Sequence, residues 1–242
     1  MINSLSIIFP VFNEEARLKA SFVHILSFLK KKKSFKVEII FVDDGSQDRS
    51  YTLIKDFIKT LKKINKFKIR IIKSKKNLGK GSALKLGVKN ARYNWILTTD
   101  IDMSVSLFQV WSWTKRKLIN KKCSVYFGSR AHNKSNVDSK FYRKILGIIM
   151  RFVIFIILGI KIKDTQCGYK LYKKSFAKIA FSKLKNYGFD HDLEIILLLK
   201  SKNIKINELP VNWKHKSNSR LNIFIDPFKM FLGILLMRIR YF

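Results

Sequence analysis

The first hundred residues alternate short apolar runs with longer amphipathic stretches. Leu5 to Pro10 (LSIIFP) reads as a buried strand. Asn13 then suits the cap of a helix whose first turn carries Glu14 and Glu15, where the helix dipole favours anions. Val37 to Val42 (VEIIFV) predicts a second strand, ending in DDGSQDRS, and the residues from about Tyr51 to Ile64 predict a helix. Lys68 to Lys73 (KIRIIK) predicts a third strand. The loop KKNLGKGS leads into a helix ending near Arg92, and Trp95 to Thr99 (WILTT) predicts a fourth strand that ends on DID. Such a rhythm implies a parallel sheet with helices on both faces. Ligands bind beyond the carboxyl ends of such strands, and both DDGS and DID fall there.

The second half is less regular. Ser124 to Arg130 (SVYFGSR) predicts a further strand, followed by the polar loop AHNKSNVDSK. Phe141 to Ile160 is strongly apolar. On an ideal helix Lys140, Lys144, Gly147 and Arg151 fall within about 60° of one another, a stripe that suits an interface rather than a bilayer crossing. The uninterrupted apolar run is also shorter than the ~20 residues a span needs. Near the end, Asp226 and Pro227 suit an N-cap and N1 pair. Phe228 to Phe242 continues as an apolar helix with Lys229, Arg238 and Arg240 near its ends, which reads as a membrane-surface anchor or as a buried core helix. No linker or internal repeat interrupts the chain. The division expected is a catalytic domain over 1–220, with an interfacial helix near 141–160, and a membrane-associated helix over 221–242.

Composition narrows the classes. With 242 residues, 47% of them hydrophobic, the chain can bury a real core, which excludes wholesale disorder. The net charge of +34 predicts polyanionic neighbours: nucleic acid, anionic lipid headgroups or phosphorylated substrates. Lysines on solvated faces explain the same surplus. No helix-turn-helix, RNP-like or zinc-finger signature accompanies the charge, and the Lys30 to Lys33 run and Lys73, Lys75 and Lys76 are not interleaved with aromatics on one stripe, so no nucleic-acid partner is expected. Cys123 and Cys167 form no CxxC pair, which argues against a zinc site or disulfide framework and fits a reducing compartment. The opening MINSLSIIFP lacks the basic n-region of a signal peptide.

Three loops carry candidate chemistry. Asp43 and Asp44 follow a buried strand, where a carboxylate can accept hydrogen bonds from a ribose diol or a base edge while Gly45 turns the chain. The same DDGS string equally describes a turn with a helix cap. Asp100 and Asp102 lie two apart at a strand end. In an extended segment they would share a face and hold a hard divalent cation through oxygen. Between these loops, Asn77 to Ser82 (NLGKGS) offers glycines for close backbone approach and Lys80 to neutralise a diphosphate, without the spacing of a P-loop.

Taken in order, FPVFNEEARL, VDDGSQDRS, KNLGKGSALKLGV, TDIDMS, GSR, DTQCGYKLY and FDHDLEI resemble a family 2 glycosyltransferase of the GT-A fold, in the branch of the dolichyl-phosphate β-glucosyltransferases and their polyprenyl-phosphate relatives. The resemblance spans nearly the whole chain. It implies a Rossmann-like, mostly parallel sheet flanked by helices, and C-terminal helices at a membrane interface. It implies a nucleotide-sugar donor, UDP-glucose, a polyprenyl phosphate acceptor and a divalent metal, Mg²⁺ or Mn²⁺. GDP-mannose is the alternative donor. By the same resemblance Pro10, Asn13 and Glu14 line the nucleotide pocket. Asp43 contacts the base or ribose with Asp44 beside it, and Lys80 sits on the nucleotide side. Asp100 and Asp102 match the metal-binding DxD pair, Asp102 being the direct ligand. Arg130 and Gln166 border the donor and acceptor pocket. Asp190 and Asp192 match an acidic FDxE segment, in which Asp192 replaces the usual Glu, and Asp190 is the acid expected near the acceptor. Arg130, Arg143 and Lys144 are candidates to hold the lipid phosphate. The expected location is an anionic membrane surface, with the catalytic domain on its cytoplasmic side. Relatives carry an N-terminal transmembrane anchor that is not expected here.

Overall fold

The computed structural model describes residues 2–31, 36–64, 68–120, 122–138, 141–188, 190–216 and 225–242; at 63–64, 141–144 and 225–227 it describes the backbone. In chain order the elements are β1 (Ser4–Val11), α1 (Glu15–Lys31), β2 (Lys36–Asp43), α2 (Ser50–Ile64), β3 (Lys68–Lys73), α3 (Lys80–Asn90), β4 (Trp95–Thr98), α4 (Gln109–Lys115), β5 (Val125–Ser129), β6 (Asn136–Asp138), α5 (Phe141–Leu158), β7 (Lys170–Lys173), α6 (Lys174–Ser182), α7 (His191–Lys200), β8 (Ile206–Pro210), β9 (Asn212–Lys214) and α8 (Ile225–Tyr241).

Seven strands form one sheet in the order β3-β2-β1-β4-β7-β5-β8, and β6 pairs with β9 in a small second sheet. All neighbours in the large sheet are parallel except β7, which runs antiparallel to both β4 and β5. The sheet is therefore mixed rather than wholly parallel. Because β7 is flanked by two antiparallel pairings, β1 to β5 and β8 still end on the same edge. The chain leaves β1 toward β2 and β3, then crosses back to place β4 on the other side of β1. The switch point of the sheet thus lies between β1 and β4, where such folds open a crevice.

The continuous apolar runs of β1 and β2 are those of strands buried on both faces. Alternation splits their residues between two cores. Ile7, Phe9, Ile39 and Phe41 join α1, α2 and α4 on one face. Ile8, Ile40 and Val42 join α3 and α5 to α8 on the other. The C-terminal helix α8 is part of this second core through Ile234 and Met237, both fully buried, and it packs against α5 and α7. Beyond these two residues and the buried Ile154 and Leu158 of α5, much of α5, α8 and the following Phe242 is bare. Ile148, Phe152, Ile156, Leu236, Ile239 and Phe242 are each more than half exposed. No helix among the described residues is long and apolar enough to cross a membrane.

Candidate active site

Four loops meet at the carboxyl edge of β3, β2, β1 and β4, and their side chains tie them together. The Asn13 residue has φ 49° and does not cap its own helix as expected. Its side-chain carbonyl instead accepts the Gln47 and Asp48 N–H groups at 2.7 and 3.3 Å, because α1 begins only at Glu15 and the β2–α2 loop lies alongside. In return Ser46 Oγ accepts the Asn13 N–H, Ser50 Oγ the Glu14 N–H and Asp48 the Glu15 N–H. The Glu14 carboxylate pairs with Arg17 at 3.0 Å. Pro10 sits within β1 opposite Val42.

The two neighbouring aspartates do different work. The buried Asp44 carboxylate accepts the Leu78 and Gly79 N–H groups, the latter at 2.7 Å, and so pins the β3–α3 loop. Burial, its largest influence, together with Asp43, raises its pKa despite those bonds. Asp43 is fully buried; Oδ1 accepts the Ser46 N–H at 3.4 Å, and Oδ2 has no hydrogen-bond partner. A buried carboxylate oxygen without a donor carries most of its desolvation cost uncompensated, so its presence at a ligand-binding edge points to a donor from outside the protein.

The glycines of NLGKGS admit backbone rather than a ligand. A Cβ at Gly79 (φ 105°) would strike the Tyr187 carbonyl, and one at Gly81 would meet Tyr187 Cα at 3.0 Å. The Gly81 N–H donates to Tyr187 O at 3.0 Å. The first turn of α3 is thus occupied by the 186–188 loop, and what this segment offers a ligand is the Lys80 side chain. Lys80 Nζ lies 2.5 Å from Asp100 Oδ1, both groups remaining partly exposed. Burial alone would lower the Lys80 pKa, but Asp100, Asp192 and Asp102 together raise it, so it stays cationic.

The DxD geometry differs from an extended pair. β4 stops at Thr98, and Asp100 to Met103 form a turn closed by the Met103 N–H to Asp100 O contact, with Met103 at φ 56°. Within the turn the two acids have different hydrogen-bonding partners. Asp100 faces Lys80 and lies on Gly168, where any Cβ would collide with its Oδ2. Asp102 Oδ1 accepts the Ser104 N–H at 2.8 Å. No three His, Cys, Asp or Glu side chains come together as a metal cage among the described residues. That suits a hard cation that takes one or two carboxylates and completes its shell with phosphate oxygens and water. The carboxylate oxygens of Asp100 and Asp102 are donors of the kind Mg²⁺ or Mn²⁺ takes, and Asp100 also holds Lys80.

Across the switch point, Arg130 is held by Asp164. The Asp164 carboxylate accepts the Arg130 N–H, Nε and Nη2 at 2.7, 2.8 and 2.8 Å. Burial would raise the Asp164 pKa, but Arg130 holds it below the usual carboxylate range. The guanidinium also stacks over Trp213, 5.7 Å from the ring centroid. Gln166 follows in the same loop with its Nε2 buried and unpartnered, a second polar atom that the protein leaves unanswered.

The FDHDLEI segment resolves into three roles. Asp190, half buried, accepts Asn186 Nδ2 at 3.0 Å and presses on Gly233 of α8; its side chain caps nothing. Burial is the main cause of its raised pKa. Asp192 is buried with Lys170 Nζ at 2.5 Å and His191 Nε2 at 3.1 Å. Despite burial, His191 and Lys170 hold it well below the ordinary range. It is a counter-ion rather than a pocket residue. Glu194, fully buried, accepts the Lys185 and Asn186 N–H groups and the Tyr241 hydroxyl, tying α8 to α7. Lys170 and Trp213 were not signalled by the sequence: Lys170 reads as an ordinary surface lysine until β7 is known to be central. The Arg143 and Lys144 side chains and Lys140 lie outside the described residues, as do Lys32, Lys33 and the Asp226 side chain. Cys123 and Cys167 are buried free thiols, Cys167 pushed up to about 12 chiefly by burial.

The model of glycosyl transferase family 2 matches residues 6–180. The dolichyl-phosphate β-glucosyltransferase of Saccharomyces cerevisiae is 32% identical over 255 residues, 98% of this chain and 75% of that protein. The Dictyostelium discoideum enzyme of the same name is 35% identical over 251 residues, 98% of this chain and 74% of that one, and the human one 32% over 249 residues, 98% and 75%. Among solved structures, glucosyl-3-phosphoglycerate synthase from Mycobacterium tuberculosis with Mn²⁺, UDP and glucosyl-3-phosphoglycerate superposes with a TM-score of 0.69 at 14% identity, over 98% of this chain and 80% of that one. The same enzyme with Mg²⁺ and UDP gives 0.65 at 14%, over 98% and 79%. The likeness in structure supports the GT-A fold already visible in the strand order. Sequence, sheet topology and the loops gathered at its switch point agree that this chain is a glycosyltransferase belonging to glycosyl transferase family 2.

Proposed function

We propose that the chain transfers glucose from UDP-glucose to a dolichyl or other polyprenyl phosphate, with inversion, at a membrane surface whose cytoplasmic side it faces. The observation that carries this reading is the pairing, at one sheet edge, of the partnerless Asp43 Oδ2 with the Asp100–Asp102 turn. The first suits a donor group of the nucleotide's base or ribose, and the second the diphosphate end. The relatives named dolichyl-phosphate β-glucosyltransferase support the choice of glucose as the sugar and of a lipid phosphate as the acceptor.

A phosphate oxygen of the lipid attacks the anomeric carbon. The new bond is carbon to phosphate oxygen, the bond broken is carbon to the diphosphate oxygen, and UDP leaves with the electron pair. The lipid phosphate is anionic near neutral pH, so no side chain need remove a proton. A divalent cation at Asp102 would supply charge neutralisation for the departing diphosphate. Asp43 orients the nucleoside, and Lys80, kept cationic by Asp100, faces the diphosphate. Arg130 has Nε and Nη2 committed to Asp164, so its Nη1 edge is left to meet an anionic oxygen by a charge-assisted bond. Asp190 orients rather than acts as a base, lying where the site meets α8. The bare faces of α5 and α8 support the membrane-surface part of this reading.

Turnover with UDP-glucose and with GDP-mannose, each with a polyprenyl phosphate in detergent, tests the proposal. UDP-glucose is expected to be the better donor, and Asp102→Ala to lower turnover by about 10³-fold, the scale of losing an electrostatic stabiliser. Preference for GDP-mannose would convert the reading to a mannosyltransferase, and near-normal turnover by Asp102→Ala would remove the metal assignment.

A further inference from the structure

We infer that a cavity between the ends of α6, α7 and α8 binds the headgroup of an anionic phospholipid, apart from the acceptor site. The cavity has a volume of about 710 Å³, and Lys85, Lys183, Lys185, Lys202 and Arg240 line it. Lys183, Lys185 and Lys202 are exposed. Lys85 is fixed at the wall by its bond to Leu184 O at 2.8 Å and by the Tyr187 ring. Arg240 is fixed by Asn186 Oδ1 at 3.1 Å. No carboxylate lines the cavity. Glu194, behind the wall, is fully buried, bonded to two N–H groups and a hydroxyl, and pairs with Arg240 Nη1 at 3.6 Å, so it offsets one of these charges.

A simpler account of these lysines is that they answer the C-termini of α6, α7 and α8. Three such ends carry roughly −0.5 each, which together with Glu194 offsets about half of the five positive charges. The cavity stays cationic, and its surroundings select the kind of anion. Arg240 and Tyr241 belong to α8, whose Leu236 and Ile239 are 59% and 81% exposed, with Phe242 just beyond it at 63%. A free phosphate has no use for bare apolar side chains on the same helix, whereas a phospholipid presents a charged head with acyl chains beside it. The cavity and the bare helices also share one face of the sheet, since α3 and α5 to α8 build the same core. The lysines of α2 lie on the opposite face.

This rests on the membrane-surface part of the proposed function, and its test is independent of turnover. The full chain is mixed with phosphatidylcholine vesicles, with or without phosphatidylserine and free of polyprenyl phosphate. The triple variant Lys183→Ala/Lys185→Ala/Lys202→Ala is compared with Lys55→Ala/Lys59→Ala/Lys62→Ala, which removes the same charge from α2. The first triple is expected to weaken serine-lipid-dependent binding about tenfold or more, and the second less than about threefold. Both should unfold at the wild-type temperature and turn over normally in detergent. Equal weakening by the two triples would reduce the effect to bulk charge. Displacement of the protein by inorganic phosphate beyond a chloride control of equal ionic strength would make the cavity a phosphate site. No serine-lipid dependence in the wild type would also overturn the inference. Absence of detergent turnover would instead count against the transferase reading alone.

Discussion

At the residue scale the site is organised by pairs of opposite charge, and the most deeply set is Lys170 with Asp192. Both are almost fully buried, at 1% and 4% exposure. Lys170 Nζ also donates to Thr165 O, so the pair fastens the DTQCG loop to the start of α7. Removing one member of such a pair leaves the other as an uncompensated buried charge, which costs about 3–5 kcal/mol. Lys170→Met and Asp192→Asn are each expected to destabilise on that scale. The double variant should cost about as much as either single change rather than their sum, because no lone charge remains. Urea denaturation of the four proteins checks this, and simple additivity would show that the two do not act as a pair. The sequence displayed Asp192 as a shortened acid in a recognisable segment. It could not display the reason, because Lys170 is distant in sequence and becomes central only when β7 inserts between β4 and β5. Asp100 and Asp102 show the same limit: their spacing was legible, but the turn that sends one to Lys80 and leaves the other to Ser104 was not.

At the scale of elements, strands with two buried faces were the legible part. β1 to β4 and their helices lie within a residue or two of their expected bounds, because apolar runs bounded by Gly, Asp and Asn leave little choice. β7 was hidden, since its four residues KLYK begin and end on lysine. Short α4 was hidden too, and how it is held carries a pH prediction. His24 on α1 accepts the Leu107 N–H at Nε2, 3.2 Å away, and Ser106 Oγ lies equally close. This fastens the approach to α4 and requires that nitrogen to be unprotonated. Burial first, and Lys216 second, lower the His24 pKa below its ordinary 6.5. A lowered histidine contributes stability that is fully present above its unfolded pKa and is lost as pH falls through the folded one. The thermal midpoint of the wild type should therefore exceed that of His24→Leu at pH 7.5, and the gap should close toward pH 5. A gap that stays constant over this range would remove the role given to Nε2.

For the whole molecule the question is what a basic protein with a bare apolar side does with it. The two properties act over different ranges. Charge attraction decays within about 8 Å at physiological ionic strength, while burial of apolar surface is little affected by moderate salt. Sequence alone showed two apolar helices with basic flanks and left them as interface or core. The structure gives each helix a core face and a bare one: Ile154, Ile234 and Met237 face inward, and neighbours such as Phe155, Leu235 and Leu236 face out. Exposed large side chains lie on two helices that pack against each other, and a large bare apolar patch marks an interaction surface. If lipid covers it, binding of the wild type to anionic vesicles should keep a fraction that survives moderate salt. Replacing Ile148, Phe152, Ile156 and Ile239 with serine should abolish that fraction. Each such side chain contributes about 1.5–3 kcal/mol when fully buried, so even partial insertion of four would change partitioning by more than about tenfold. The thermal midpoint should hold, because these side chains are 60%, 63%, 62% and 81% exposed already. Complete release of the wild type by salt would falsify the apolar contribution and leave charge as the whole attraction.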